Sequence, residues 1–487
     1  MKNRGYITVF ISLLLMVLVV VYLVFFKIVD IAAARSKSGV ALSTACSSVK
    51  AERTSEYIFD RYHILLVDMN RGDGGEEAVA RDIKESLEEN LGDSYSVDSV
   101  SISGRTGILD DDCEAFKEQI RDYFLYGVAE YAVDELITKT DGNDEPITQD
   151  AINAMDSEVE GASEDSSSGE IISEGKEGTG LSGDKPNKKV DAGNDKKDPR
   201  KEVRKVKKRG VAFYILPEGS EFSENVVDSE DMPSYGVGSW YDMEIDTDFD
   251  SYSKLKKQMN KGSGWAENLV TGGESIAYAN RMFNSFTDEK YDDTYLKLEM
   301  EYIIAGKPTD AENYKKVINQ ITVIRFGCNF AYLLTDASRM AEVSTLATAL
   351  TIFIPVLQPL VKYLLAGCWA YVESVADVYC LIRGHKIPYF KNSENWKTSM
   401  YGITKLAELD IDADDSDETG MDYNDYLMIL MGLNMKTAYY RMLDVIQLNA
   451  SQDSPDFRMK NAAVAYGVNA EISYKEANFT LHAEDGY

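Results

Sequence analysis

Twenty-one consecutive residues, Tyr6 to Phe26, carry no charged side chain, and about 20 predominantly apolar residues at 1.5 Å rise are enough to span a bilayer core. Whatever the rest of the chain folds into, it does so beside a membrane unless this segment is removed. Lys2 and Arg4 precede the run, so the positive-inside rule keeps the tip, residues 1–5, in the cytoplasm and the bulk of the chain outside. Lys27, Arg35 and Lys37 flank the far end, with Asp30 among them. Three fates are open to such a segment: retention as a signal-anchor, cleavage as a secretory signal at Ala32-Ala33-Ala34, or clipping between Gly5 and Tyr6 as in prepilins. Removable signals have apolar regions of about 7 to 15 residues, which favours a single-pass anchor in the cell membrane with a cytoplasmic N-terminus.

Past the membrane no proline occurs until Pro146, and residues 28–59 are rich in Ala and Ser, with Leu42, Ala45 and Val49 at helical spacing. A helix running on from Tyr6 to Phe59 would be about 80 Å long, although Gly39 and the serines weaken it. Residues 27–140 therefore read as a stalk helix and a first extracytoplasmic segment. Helix candidates lie at Glu76–Asn90 and Cys113–Ile137, the second with Phe116, Ile120, Tyr123 and Val128 on one stripe. Gly72, Gly74 and Gly75 with Asp68, Asn70 and Asp73 read as a turn before the first of them.

From 141 to 209 the composition turns to Asp, Glu, Ser, Gly and Lys with almost no large apolar residue, a stretch unable to bury enough surface to fold. It is acidic first and basic last. The basic end, Lys196 to Arg209 with Lys205, Lys207, Lys208 and Arg209 at its centre, is a candidate contact for an anionic polymer or lipid. A charge run is more often simply solvated.

Residues 210–487 read as an α+β extracytoplasmic domain. Leu296, Leu298, Met300, Tyr302 and Ile304 alternate with Lys297, Glu299 and Glu301, as do Val464 to Tyr474 and Val211, Phe213 and Ile215, which predicts three strands of an antiparallel sheet. Thr309 and Glu312 form a capping box opening a helix with Val317, Ile321, Ile324 and Cys328 on one face. Val343 to Val361 is a second charge-free run, 19 residues long. Pro355, Gln358 and Pro359 interrupt it, so a buried helical pair is the simpler reading, and a membrane span is the alternative. The expected whole is an N-terminal transmembrane helix followed by an antiparallel sheet packed with a mainly helical bundle, interrupted by the charged linker.

The residue chemistry excludes more than it identifies. A net charge of −31 argues against sequence-independent nucleic-acid binding. Three histidines leave little for histidine catalysis or zinc, and five cysteines, Cys46, Cys113, Cys328, Cys368 and Cys380, read as buried small hydrophobes rather than a disulfide framework. Asp410, Asp412, Asp414, Asp415 and Asp417 resemble the front of a calcium loop. An EF-hand needs Gly sixth and Glu twelfth, and counting from Asp410 these are Asp415 and Met421, so a solvated acidic loop outweighs a calcium site. No phosphate-loop, dinucleotide, zincin or serine-hydrolase signature occurs, so neither an enzyme nor a cofactor is expected.

The opening Gly5-Tyr6-Ile7-Thr8-Val9-Phe10-Ile11-Ser12-Leu13-Leu14-Leu15 resembles the membrane start of Tad-locus pilus-assembly proteins of the TadE and TadG type. Prepilins and the TadE type carry Glu at the fifth position after the cleaved Gly. Here that position is Phe10, which counts against processing after Gly5 and less against the TadG type. Longer segments are Tyr62 to Asp68, Glu301 to Lys307, Leu333 to Ala337, Trp369 to Ser374 with Asp377-Val378, Lys386-Ile387-Pro388, Trp396, and Asp422 to Leu427. Together they resemble a family of uncharacterised, membrane-anchored proteins of Gram-positive anaerobic bacteria, a domain of unknown function linked to Tad-type pilus genes. The shared residues are mostly apolar, aromatic or turn-forming, which implies a common core. The resulting expectation is a membrane-anchored structural or assembly protein with pilus or envelope partners. A wall-polymer or calcium-binding module is the alternative, and an envelope hydrolase the third.

Overall fold

Fifty residues without a proline, dominated by Leu, Val and Ala, form one uninterrupted helix, α1 (Arg4–Arg53), about 75 Å long at 1.5 Å per residue. The structure is a computed structural model that describes residues 4–71, 74–125, 210–237, 272–400 and 420–486, with Val203 and Val206. The linker over 141–209 therefore lies, those two valines apart, outside the described residues, as do Asp410 to Asp417. Gly39 does not break α1. The helix ends at Arg53, short of Phe59, because Ser55 accepts the Ile58 N–H at 3.3 Å and starts α2 (Glu56–Tyr62).

Two halves of α1 differ in burial. Residues from Tyr6 to Val29 are exposed around the whole circumference, whereas Ala34, Ser38, Leu42, Ala45, Cys46 and Val49 are buried at steps of three and four, one stripe facing a core.

The chain forms two compact units, one comprising the described residues of Met1–Val128, Ser229–Val237 and Tyr439–Tyr487, the other those of Ala129–Asp228 and Gly238–Ala438. In the first unit the chain runs through β1 (Val67–Asp68), α3 (Gly75–Leu91), β2 (Tyr95–Gly107) and α4 (Asp110–Leu125), and finishes in β3 (Ala462–Tyr474) and β4 (Ala477–Gly486). The sheet is antiparallel and β3 is its centre: β2 lies along one edge, with Val97 opposite Ile472 and Ile102 opposite Val468. β4 and β1 share the other edge, with Phe479 opposite Ile472 and Val67 opposite Ala463. Tyr466, Val468, Ala470 and Ile472 point to the face covered by α1 and α3, where Val79, Ile83 and Leu87 complete the core, while Asn469 and Glu471 point away. The strand expected over Val464–Tyr474 and the helix expected over Glu76–Asn90 are both present. Phe116 and Ile120 are buried as the stripe required, while its continuation past Leu125 lies outside the described residues.

The second unit is helical: α5 (Val211–Ile215), α6 (Gly273–Met282), α7 (Glu299–Ala305), α8 (Asp310–Thr335), α9 (Ala337–Leu350), α10 (Gln358–Leu381) and α11 (Tyr423–Gly432). Then α12 (Met435–Asp453), which belongs from Tyr439 onward to the first unit, leads into the C-terminal strands. Thr309 caps α8 by accepting the Glu312 N–H, as its sequence predicts.

Two expected strands are corrected. Val211–Ile215 is a short helix. The Leu296–Ile304 alternation belongs to a loop and to α7, and two of its three polar members are inside: Glu299 and Glu301 have no exposed surface, while Lys297 reaches the surface beside Glu221. Glu299 accepts the Asn284 N–H at 2.8 Å, and Glu301 accepts the Phe286 N–H and the Tyr423 hydroxyl, each at 2.9 Å. The carboxylates thus satisfy buried donors that would otherwise be orphaned, and an alternation that looked like an inside and an outside turns both of its glutamates inward. The run from Val343 to Val361 is the expected helical pair, α9 and α10 joined by a turn, but its tip is not buried: Phe353 and Val356 are 94% and 87% exposed.

Candidate functional site

The feature that ties the second unit together is a sealed cluster of charges. Arg325 and Asn329 lie four residues apart on one face of α8, and Glu373 and Asp377 do the same on α10. The Arg325 guanidinium donates to Asp377 Oδ2 from Nε at 3.0 Å, to the carbonyls of Pro388 and Tyr389 at 3.0 and 2.7 Å, and to the Tyr426 hydroxyl of α11 at 3.0 Å. Asn329 donates to the same Asp377 oxygen at 2.8 Å and to Ser374 Oγ at 3.0 Å. Lys391, from the loop after α10, sits 2.6 Å from Asp377 Oδ1 and also binds Glu373. Glu373 further accepts the N–H groups of Lys397 and Thr398 at 2.8 and 2.7 Å.

None of the four charged side chains, Arg325, Glu373, Asp377 and Lys391, has any exposed surface. Two cations meet two anions, so the cluster is neutral as a whole, the condition under which buried ions are tolerable. Burial would raise the Asp377 carboxyl, but Lys391 and Arg325 beside it outweigh that and hold it below the usual carboxylate range. Trp396 stands edge-on to Trp369 at 5.9 Å and covers the Lys391 ammonium, while Trp369 Nε1 donates to Thr398 at 3.1 Å. Closed to solvent, this arrangement holds α8, α10, α11 and the 386–398 loop in one geometry. It offers no substrate a way in.

The cluster was not foreseen as a site, although several of the segments quoted for the family resemblance supply it: Glu373, Ser374 and Asp377, the Pro388 carbonyl, Trp369, Trp396 and Tyr426. The signal that could have revealed it is an ion or amide repeated at four-residue spacing on otherwise apolar helices. Of the residues singled out in advance, Gly5 and Tyr6 fall at the start of α1, with Tyr6 80% exposed. Lys205, Lys207, Lys208 and Arg209, and Asp410, Asp412, Asp414 and Asp417, lie outside the described residues. Among the described residues no group of three or more His, Cys, Asp or Glu could hold a metal ion. None of the five cysteines is in a disulfide, and Cys46, Cys113 and Cys380 are buried. A shallow depression of about 380 Å³ in the first unit is lined by Glu76, Glu77, Arg81 and Lys84 of α3 and Val100 to Ile102 of β2.

Among the described residues three helices are long and apolar enough to cross a membrane by length and composition. They differ in burial. The most apolar windows of Asp310–Thr335 and Pro355–Leu381 are 67% and 78% buried in the fold, whereas that of α1 is not buried at all.

These features define an α+β protein with an N-terminal helix able to anchor in a membrane and a helical body built around a sealed ion cluster. The sequence profile of a family of unknown function, DUF5702, matches residues 189–474, more than half of the chain, and the protein belongs to that family. The match takes in the whole cluster. No curated protein and no solved structure matches the chain.

Proposed function

We propose that this protein is a single-pass, membrane-anchored structural or assembly component, with its folded part outside the cytoplasm and docking pilus or envelope proteins. The observation that carries the reading is α1 itself. Its apolar half is bare on every side, which water does not tolerate over 20 residues, and the same unbroken helix then enters the core of the first unit, so membrane and folded body are joined without a hinge in the helix. Lys2 and Arg4 supply the orientation. A Tad-type pilus context rests on the resemblance of Gly5 to Leu15, and Phe10 favours a retained anchor within it.

The deciding measurement is the mass of the N-terminal peptide of the protein recovered from membranes. An intact Met1 end is expected. A start at Tyr6 would replace the static anchor by a processed pilus subunit, and a start at Arg35 would overturn anchoring. Protease treatment of intact cells reads the orientation: the body is expected to be cut and the first five residues protected.

A further inference from the structure

The turn joining α9 to α10 is a convex, apolar crown. Ile352, Phe353, Ile354, Val356, Leu360 and Leu364 are all exposed, from 42% to 94%, the first five inside the charge-free stretch from Val343 to Val361 and the last just beyond it. Isolated exposed apolar residues are ordinary on a soluble surface, but a contiguous group at the apex of a projecting hairpin is not. We propose that this crown, residues 350–364, dips into the lipid bilayer as a second membrane contact of the protein.

Three observations choose lipid over a protein partner. Part of the crown's backbone is satisfied within the hairpin, which lowers the cost of entering a bilayer: the N–H groups of Thr351, Ile354 and Leu357 donate at 3.0, 2.9 and 3.1 Å. Pro355 and Pro359 have no N–H to satisfy, and the Gln358 amide reaches Thr348 Oγ1 at 2.8 Å. The exposed side chains are aliphatic or phenyl, with nothing to give the hydrogen bonds that protein interfaces carry at about one per 100–200 Å². Lys362 and Tyr363 follow on α10, partly buried, and Lys and Tyr are the residue types that settle at headgroup level beside an inserted apolar segment. The proposal rests on the anchoring reading in one respect, that a tethered chain keeps a bilayer within reach at high effective concentration.

The test uses the full chain carrying Phe353→Trp, a fully solvated position that leaves the fold undisturbed, reconstituted into phosphatidylcholine–phosphatidylglycerol vesicles with plain or brominated acyl chains. The wild-type chain supplies the background of the native tryptophans. Insertion predicts a roughly twofold loss of the added emission to brominated lipid and little to aqueous iodide, as for an interfacially buried apolar side chain. Quenching by iodide and not by brominated lipid would place the crown in water, and shielding from both would mean a protein partner or a second copy. Either overturns the proposal. As a second measurement, backbone hydrogen exchange over 350–357 is expected to slow on vesicles for the wild type and not for the Phe353→Asp, Val356→Asp double variant. Equal slowing in both would also overturn it. Carbonate extraction of the same vesicles reads α1 independently. A carbonate-resistant chain with an unquenched crown sinks only this proposal, and an extractable chain with a quenched crown sinks only the anchor.

Discussion

Arg325 and Asp377, neither with any exposed side-chain surface, meet across α8 and α10 with Nη2 and Oδ2 2.9 Å apart. Removing one partner of such a pair strands the other's charge in the interior, at a cost of about 3–5 kcal/mol. Arg325→Met or Asp377→Asn should therefore lower the unfolding free energy of the full chain by that order, followed through the fluorescence of Trp369 and Trp396, which flank the cluster. A loss below about 1 kcal/mol, the scale of an exposed pair, would show that the cluster is not what holds these helices.

Glu301 predicts a pH dependence of the opposite kind. Burial pushes its carboxyl up to about 7, despite the Phe286 N–H and the Tyr423 hydroxyl that favour the charged form. Because the folded value lies above the unfolded one, the native state binds the extra proton between roughly pH 4.5 and 7, so stability falls as pH rises through that window, by up to ~3 kcal/mol. Asp310 is raised by burial too and adds in the same sense. The depressed Asp377 contributes stability that is lost only at lower pH, below the ordinary carboxylate range. Urea unfolding at pH 5 and pH 8 should show the wild type weaker at pH 8 and Glu301→Gln much less sensitive. Equal pH sensitivity in the two proteins would refute the assignment.

The two halves of α1 should respond to different substitutions. Leu15→Arg with Val19→Arg puts two charges mid-span, each costing about 2.5–3.5 kcal/mol of insertion, and should move protein from the carbonate-resistant pellet toward the supernatant. Leu42→Ala empties a buried site in the first unit's core and should cost about 2–5 kcal/mol of stability with pelleting unchanged. If both variants gave the same phenotype, the division of α1 into membrane and core halves would be wrong.

Cys46 and Cys113 are pushed up to about 12, chiefly by burial, and a thiol so far from ionising is a poor nucleophile. Iodoacetamide at neutral pH should leave both unmodified in the native protein and alkylate both in urea, as read by peptide mass. Alkylation of either without denaturant would mean that the first unit opens locally around it.

The central strand β3, helix α3 and the start of α8 were legible because each is written in a local pattern: alternation over Tyr466, Val468, Ala470 and Ile472, a stripe of Val79, Ile83 and Leu87, and the Thr309 cap. α7 was not legible, since a period-two pattern over nine residues cannot tell a carboxylate facing water from one facing the backbone N–H of Asn284 or Phe286. The partners of Arg325 were hidden for a related reason: Asp377 is 52 residues away and Tyr426 101, and no local spacing encodes contacts of that range.

By itself the sequence determined the apolar segment able to anchor in a bilayer, the proline-free helix that continues it, and the alternating strand at the far end of the chain. Each depends only on neighbours within a few residues, where hydrophobic periodicity and backbone geometry act. Tertiary structure alone decided that β3 is the centre of a sheet with β2 on its flank, that Glu299, Glu301, Glu373 and Asp377 are inside rather than out, and that the tip of a charge-free run is left bare. Burial is a property of what arrives from elsewhere in the chain, and desolvation with its compensating hydrogen bonds, rather than residue type, settles which side of the surface a charge occupies.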